Sequence, residues 1–170
     1  GKNFALANNP DFTEIYGELI KSYLKKNRID VFYITSPFES GIICYKKEWF
    51  ENVKTVVTVY DIIPYVFKKH YLFDKNSEKW YMNCVNQLRW VDKLLVISTS
   101  VKDDLVKYLN FNPEKIECIW GAVNARYRVI EINDNDKKYF YSKFGIKNSF
   151  IMCTGGDDER KNIDGLIKAY

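Results

Sequence analysis

The sequence predicts an α/β fold built on a doubly wound, mostly parallel sheet. Three observations predict it. Short apolar runs alternate along the chain with stretches of helical period. Several of these runs are apolar at consecutive positions, the mark of strands covered on both faces. And strand and helix follow one another in turn, which right-handed crossovers resolve into a parallel sheet with helices on its faces.

The elements come in order. Residues 3–7 (NFALA) read as a strand, followed by Asn9 as a helix N-cap with Pro10 at the first helical position, where its missing N–H does no harm. Phe12, Ile15, Tyr16, Leu19, Ile20, Tyr23 and Leu24 then recur at helical spacing and define one apolar face. Residues 30–35 (DVFYIT) form the next strand and end in the turn SPFESG. Residues 54–60 (KTVVTVY) are a continuous β-branched run that ends in DIIP, where Pro64 argues against regular helix. A helix over about 77–91 puts Trp80, Cys84, Leu88 and Val91 on one side, and residues 93–98 (KLLVIS) return as a buried strand. Ser100 with Asp103 resembles a capping box for a helix over 101–109, and residues 115–120 (KIECIW) give a further strand. From Gly121 to about Lys147 the character changes to an Asn- and Asp-rich stretch without a clean period. A short helix over about 136–144 interrupts it and stops at Gly145. A fresh strand follows at 149–153 (SFIMC), so the chain reads as one α/β unit, a linker and the opening of a second.

Composition narrows the function. The chain has 170 residues, 46% of them apolar and 28% charged, enough for a real core in one domain and a fraction of another. No apolar run approaches the roughly 20 residues that span a bilayer, and the N-terminus lacks the layout of a signal peptide. The net charge of +4 is spread among acidic neighbours, so no basic stripe tracks a nucleic acid. The 4 cysteines, Cys44, Cys84, Cys118 and Cys153, show no C-x-x-C spacing and read as buried thiols of a reducing compartment. His70 is the only histidine, which leaves nothing from which to build a zinc site.

In parallel sheets ligands sit beyond the carboxyl ends of the strands. The places to look are therefore TSPFE, YDIIP, STS, WGAVN and TGGDDERKN. The last is the most informative. Gly155 and Gly156 let the backbone turn tightly and approach a ligand, while Arg160 and Lys161 stand at the entry to a helix, a combination suited to a diphosphate. It is neither a Walker loop nor G-x-G-x-x-G. Asp157, Asp158 and Glu159 would partly neutralise such a seat, so a charged surface turn stays open as the plain alternative. Glu39, a carboxylate at a strand end, and Ser98 read either as acceptor-side groups or as a surface residue and a helix cap. The aromatic and basic segment YVFKKHYLF reads as a loop packed on the sheet or a surface for a lipid or sugar.

Several of these segments together resemble a known family. GGDDERKNIDGLIKAY looks like the opening of the donor domain in the retaining, GT-B-fold glycosyltransferases of family 4, and VVTVYDIIPYVF is similar to their HD-L-I-P segment. WVDKLLVISTSVKDDLVKYLNFNPEKIECIWGAVN resembles a third segment of the family, and DVFYITSPFESG a strand end in its mannosyltransferase-like branch. The segments occur in the family's order and cover most of residues 29–170.

The resemblance implies two Rossmann-like domains facing across a cleft, one for the acceptor and one for the nucleotide-sugar donor. Residues 1–125 would be an incomplete acceptor-side domain, 126–147 a linker with a short helix, and 148–170 the start of the donor-binding domain. Lys161 matches the residue that grips the donor diphosphate, with Arg160, Gly155 and Gly156 beside it. Asp61 matches the cleft-facing Asp of the HD pair. Tyr60 stands where the His would be, and Gly155 where many members carry an Arg. No metal or other cofactor is obligatory; the nucleotide sugar is the donor substrate and a glycan or lipid-linked molecule the acceptor. The family's paired glutamates would lie past residue 170 and its first strand upstream, so the chain is expected to be an internal fragment, inactive alone. The resemblance also implies a cytoplasmic protein of glycan biosynthesis. Weak contact with the inner membrane face and self-association through the second unit stay open. So does a different class of function, a non-catalytic α/β module that assembles with another subunit.

Overall fold

In a computed structural model the described residues are 10–38, 44–156 and 158–170. The expected strand at 3–7 and cap at Asn9 lie outside them. The chain divides into two compact units, Gly1–Ala122 and Val123–Tyr170.

The first unit is an α/β layer. Helix α1 (Pro10–Lys26) leads to β1 (Val31–Ile34), and a 3₁₀ turn, Lys47–Trp49, precedes β2 (Lys54–Val59). Two one-turn helices come next, α2 (Ile63–Val66) and α3 (Lys68–Tyr71), then α4 (Lys75–Gln87), β3 (Lys93–Val96), α5 (Thr99–Leu109) and β4 (Ile116–Cys118). The four strands are all parallel and lie in the order β1-β2-β3-β4, with Val31 opposite Lys54, Val57 opposite Leu94, and Leu94 opposite Ile116. This is the α/β parallel sheet that the consecutive apolar runs require.

Register explains the core. Ile34, Val57, Val59, Leu94, Val96 and Ile116 all point to one face, because side chains alternate along a strand and the register keeps them level. There they meet Tyr81, Val85 and Leu88 on the α4 side and Val101, Leu105 and Leu109 of α5, all buried. Each such aliphatic side chain contributes about 1.5–3 kcal/mol relative to full exposure. A second buried group, Leu24, Trp49 and Phe50, seats α1 against the sheet through Tyr16, Ile20 and Phe32. On the other face Val31 and Tyr33 are about half exposed, and the Tyr33 hydroxyl hydrogen-bonds to Thr58 Oγ1 at 2.6 Å.

Several ends differ from expectation, each for a local reason. Pro64 does not prevent helix: it falls in the first turn of α2, where its N–H is not needed. α4 starts two residues earlier than periodicity suggests because Asp74 caps it, its Oδ1 accepting from the Asn76 and Ser77 N–H groups at 3.0 and 2.9 Å. It stops at Gln87, so Leu88 and Val91 are buried beyond the helix rather than on its face. α5 is capped by Ser98, whose Oγ accepts from Val101 N–H at 3.3 Å, and not by a Ser100–Asp103 box.

The second unit holds α6 (Asp134–Lys143), a 3₁₀ turn at Glu159–Lys161 and α7 (Ile163–Ala169). Asn133 caps α6 through Asn135 and Asp136 N–H at 3.0 and 2.9 Å, and Gly145 turns the chain away at φ 65°. The run 149–153 is not a strand here; Phe150, Ile151 and Met152 are exposed. A β-branched or apolar run becomes a strand only when another strand accepts its backbone, and the described residues of this unit supply none.

Candidate functional site

The carboxyl ends of the four strands lie together, as parallel pairing demands. After β1 the chain turns at Ser36–Pro37, with Phe38 stacked on Tyr81 at 4.7 Å between ring centroids. After β2 come Tyr60, 51% exposed, and Asp61, half-buried. The Asp61 Oδ1 accepts from Ile63 N–H at 3.0 Å, so one oxygen of this carboxylate fixes the entry to α2. Burial pushes the Tyr81 hydroxyl well above the ordinary tyrosine range, and the negative charge of Asp61 adds to it. After β3 stands Ser98, whose hydroxyl is committed to capping α5. After β4 stands Trp120, 61% exposed and at φ 56°, a backbone region that bulky side chains rarely occupy. Sequence reasoning marked this turn but not the residue; the signal was an indole placed directly before Gly121 at a strand end. Glu39 lies outside the described residues.

The second unit carries the other group of candidates. A hollow of about 530 Å³ is walled by Gly155, Gly156, Asn162 and Ile163, and by the carboxylates Asp158, Glu159 and Asp164. A Cβ at Gly155 would press on Ile163 Cδ1 at 2.6 Å, whereas at Gly156 it would meet nothing within 4 Å. Gly155 is therefore a close-packing position and Gly156 an open one. Arg160 forks onto Asp158: Nη2 to Oδ2 is 2.7 Å, and Nε lies 3.0 and 3.1 Å from the two oxygens. Asp158 also accepts from the Arg160 N–H at 2.9 Å and so caps the 3₁₀ turn. Lys161 is exposed, makes no ion pair among the described residues and is not part of the hollow's wall. The structure thus brings the two glycines together and ties Arg160 to an acid, while Lys161 is exposed and in no ion pair among the described residues.

Two further hollows, of about 800 and 500 Å³, lie at the opposite, amino ends of the strands. Asp92 in the larger one is structural. Its carboxylate accepts from the Thr55 N–H at 2.8 Å, the Thr55 hydroxyl at 3.0 Å and Lys54 Nζ at 3.1 Å. The Thr55 N–H first, and Lys54 after it, hold Asp92 below the usual carboxylate range. Among the described residues no group of three or more His, Cys, Asp or Glu could hold a metal ion. The cysteines are not uniformly buried as expected: Cys84 is, Cys44 and Cys118 are half-buried and Cys153 is exposed.

Comparison with known proteins adds the following. The sequence model described as Glycosyltransferase Family 4 matches residues 2–127. The chain is 30% identical over 144 residues to a serotype-specific mannosyltransferase WbdA of Escherichia coli, covering 83% of this chain and 18% of that protein. A further Escherichia coli WbdA is 29% identical over 117 residues, 69% of this chain and 14% of that protein. The chain thus spans less than a fifth of the length of these curated relatives. Among solved structures, a glycosyltransferase from Rickettsia africae ESF-5 superposes with a TM-score of 0.52 at 23% identity, over 83% of this chain and 34% of that one, a likeness of fold.

Proposed function

This chain belongs to glycosyltransferase family 4, and from that premise we propose that it serves a retaining transferase. The enzyme moves a hexosyl group, mannosyl by analogy with its relatives, from a nucleotide sugar to a carbohydrate or lipid-linked acceptor. The observation that carries the reading is the family match over residues 2–127, and the parallel sheet supports it.

In this reading residues 1–125 are the acceptor side, 126–147 the linker and 148–170 the first part of the donor side. The acceptor lies across the carboxyl edge of the sheet, against Tyr60, Asp61 and Ser98, with Glu39 nearby in sequence to the β1 end. The Trp120 indole offers a flat apolar face to a sugar ring. On the donor side, transfer breaks the bond between the sugar's anomeric carbon and the diphosphate and forms one to the acceptor hydroxyl. Negative charge builds on the departing diphosphate. Lys161, on a flexible four-carbon stem, follows that charge and stabilises it. Gly155 and Gly156 let the backbone come close, and Asp158 holds Arg160 in place beside them. No metal is required by these roles. Phe67, Phe73 and Lys69 are exposed between α2 and α4, a surface suited to a lipid-linked acceptor at the inner membrane face. No helix among the described residues is long and apolar enough to cross a membrane.

One observation favours a second reading, a non-catalytic module that assembles with another subunit. The hollow beside Gly155 is lined by three carboxylates and would repel an anion unless Lys161 swings over it.

A transfer assay separates the two. The protein carrying this chain is incubated with a panel of radiolabelled nucleotide sugars and a glycan or lipid extract. Transfer from one donor, with the donor's anomeric configuration kept in the product by NMR, is the expected result. The isolated 170 residues are expected to give none above background, since they span under a fifth of the relatives' length and lack the paired glutamates of the resemblance. No transfer by the complete protein, with its fold intact by circular dichroism, returns the chain to the binding-module reading.

A further inference from the structure

Gln87, 3% exposed at the end of α4, grips the chain on both sides of the segment that follows β1. Its Nε2 donates to the Pro37 carbonyl at 3.3 Å, and its Oε1 accepts from Tyr45 N–H at 3.1 Å. Cys44 is therefore delivered to a fixed place on α4. That place is occupied by Cys84, one helical turn before Gln87, and the two sulfurs lie 3.5 Å apart. Both are free thiols, 40 residues apart in sequence.

We propose that Cys44 and Cys84 form a redox-active dithiol, which a peroxide converts to an intrachain disulfide fastening the segment after β1 onto α4. The proposal does not rest on the transferase reading. Forming the bridge brings the sulfurs from 3.5 Å to the roughly 2.05 Å of a disulfide. The two thiols also share one hydrogen bond. The Cys84 thiol hydrogen-bonds to Cys44, which lowers the Cys44 pKa against the opposing effect of burial. The same hydrogen bond, and burial after it, push Cys84 up. Cys44 is half-buried and Cys84 buried, so a peroxide reaches Cys44 first, and Cys84 is the thiol beside it that resolves the product. In the first step the Cys44 thiolate attacks one peroxide oxygen, the O–O bond breaks to give a sulfenic acid and hydroxide, and the hydroxide takes up the proton that Cys44 released, leaving one water. In the second, Cys84 sulfur attacks the Cys44 sulfur, the S–O bond breaks, and the oxygen leaves as a second water with the Cys84 proton. The two sulfurs lose two electrons and the peroxide gains them. Cys118 and Cys153 have no second thiol in contact among the described residues, so nothing resolves a sulfenic acid there.

The test is titration of the native chain with hydrogen peroxide, followed by thiol counting after denaturation and mass spectrometry of non-reduced peptides. The expected result is a fall from four thiols to two, a Cys44–Cys84 peptide in a monomer, and reversal by dithiothreitol. The oxidised chain should also melt higher than the reduced one, because a bridge across this loop restricts the unfolded chain. Cys118→Ser with Cys153→Ser should keep the bridge, and Cys44→Ser should abolish it. Cys44 is half-buried, so that variant carries the test even if Cys84→Ala does not fold. Four persisting thiols, a bridge that uses Cys118 or Cys153, a dimer linked through sulfur, or over-oxidation of Cys44 without bridging would each overturn the proposal.

Discussion

Lys161 and Arg160 share one 3₁₀ turn, but only Arg160 stands in an ion pair among the described residues. If the transferase reading holds, the two must differ in effect. Lys161→Ala removes a cation free to follow the leaving diphosphate and should lower kcat/KM by about 10²–10³, roughly 3–4 kcal/mol. Arg160→Ala breaks a half-exposed pair with Asp158, worth about 0–1 kcal/mol, and should act mildly. Steady-state kinetics on the complete protein, with circular dichroism as the fold control, decide this; equal and small effects would make DDERKN a surface turn. The composition of this turn was legible in the sequence, but the choice of Asp158 as partner was not, since it depends on a backbone turn that places both groups on one side. Ser98 and Ser100 show the same limit. Either hydroxyl suits a cap, and only the residue whose backbone is extended ahead of the helix can do it. The Cys44–Cys84 approach was invisible for a stronger reason, because α4 and the segment after β1 meet only in the folded chain.

Helix α1 shows how an element can be correctly foreseen and still sit differently. Periodicity gave a broad apolar face that included Ile15, Leu19 and Tyr23, yet these are exposed. The buried stripe is Gly17 and Leu24, with Tyr16 and Ile20 half-buried beside them. The helix is rotated toward Trp49, and Gly17 is what permits it: a Cβ there would overlap Nε1 and Cε2 of the indole. In most exposed helix positions Gly→Ala is stabilising by up to about 1 kcal/mol. Here Gly17→Ala should instead destabilise, since the rigid ring cannot yield and overpacking costs about 1–3 kcal/mol. Thermal denaturation checks it, with Ser22→Ala on the exposed side of α1 as the reference. A rise in Tm for Gly17→Ala would mean that the indole does not pack there. Strands β1 to β3 were foreseen most nearly, because each holds a short run of consecutive apolar or β-branched residues bounded by turn residues. The run at 149–153 was misjudged because strand formation needs a partner that a local reading does not contain.

Across the whole molecule the two units are built unequally. Among the described residues every member of the buried core lies in the first, from Leu24 to Ile116, while nearly all of those between 123 and 170 are exposed. Limited proteolysis should therefore cut first within residues 123–133, which are exposed and carry no helix or strand. In hydrogen exchange the amides of β2 and β3 should be the slowest and those of the second unit the fastest. Equal protection in both units, or first cuts within the sheet, would contradict this division. The parallel α/β class was legible because buried strands and crossover helices leave separate periods in the sequence. The grouping of side chains at the carboxyl edge was legible only as five turns, not as distances. The strand order has one more consequence, and it concerns time. Because β1, β2, β3 and β4 are neighbours in the order in which they are made, β2, β3 and β4 each find their first pairing partner already made. On the ribosome each new strand can dock onto a finished edge as it emerges, so an arrest after β3 would leave a growing sheet rather than a loose chain.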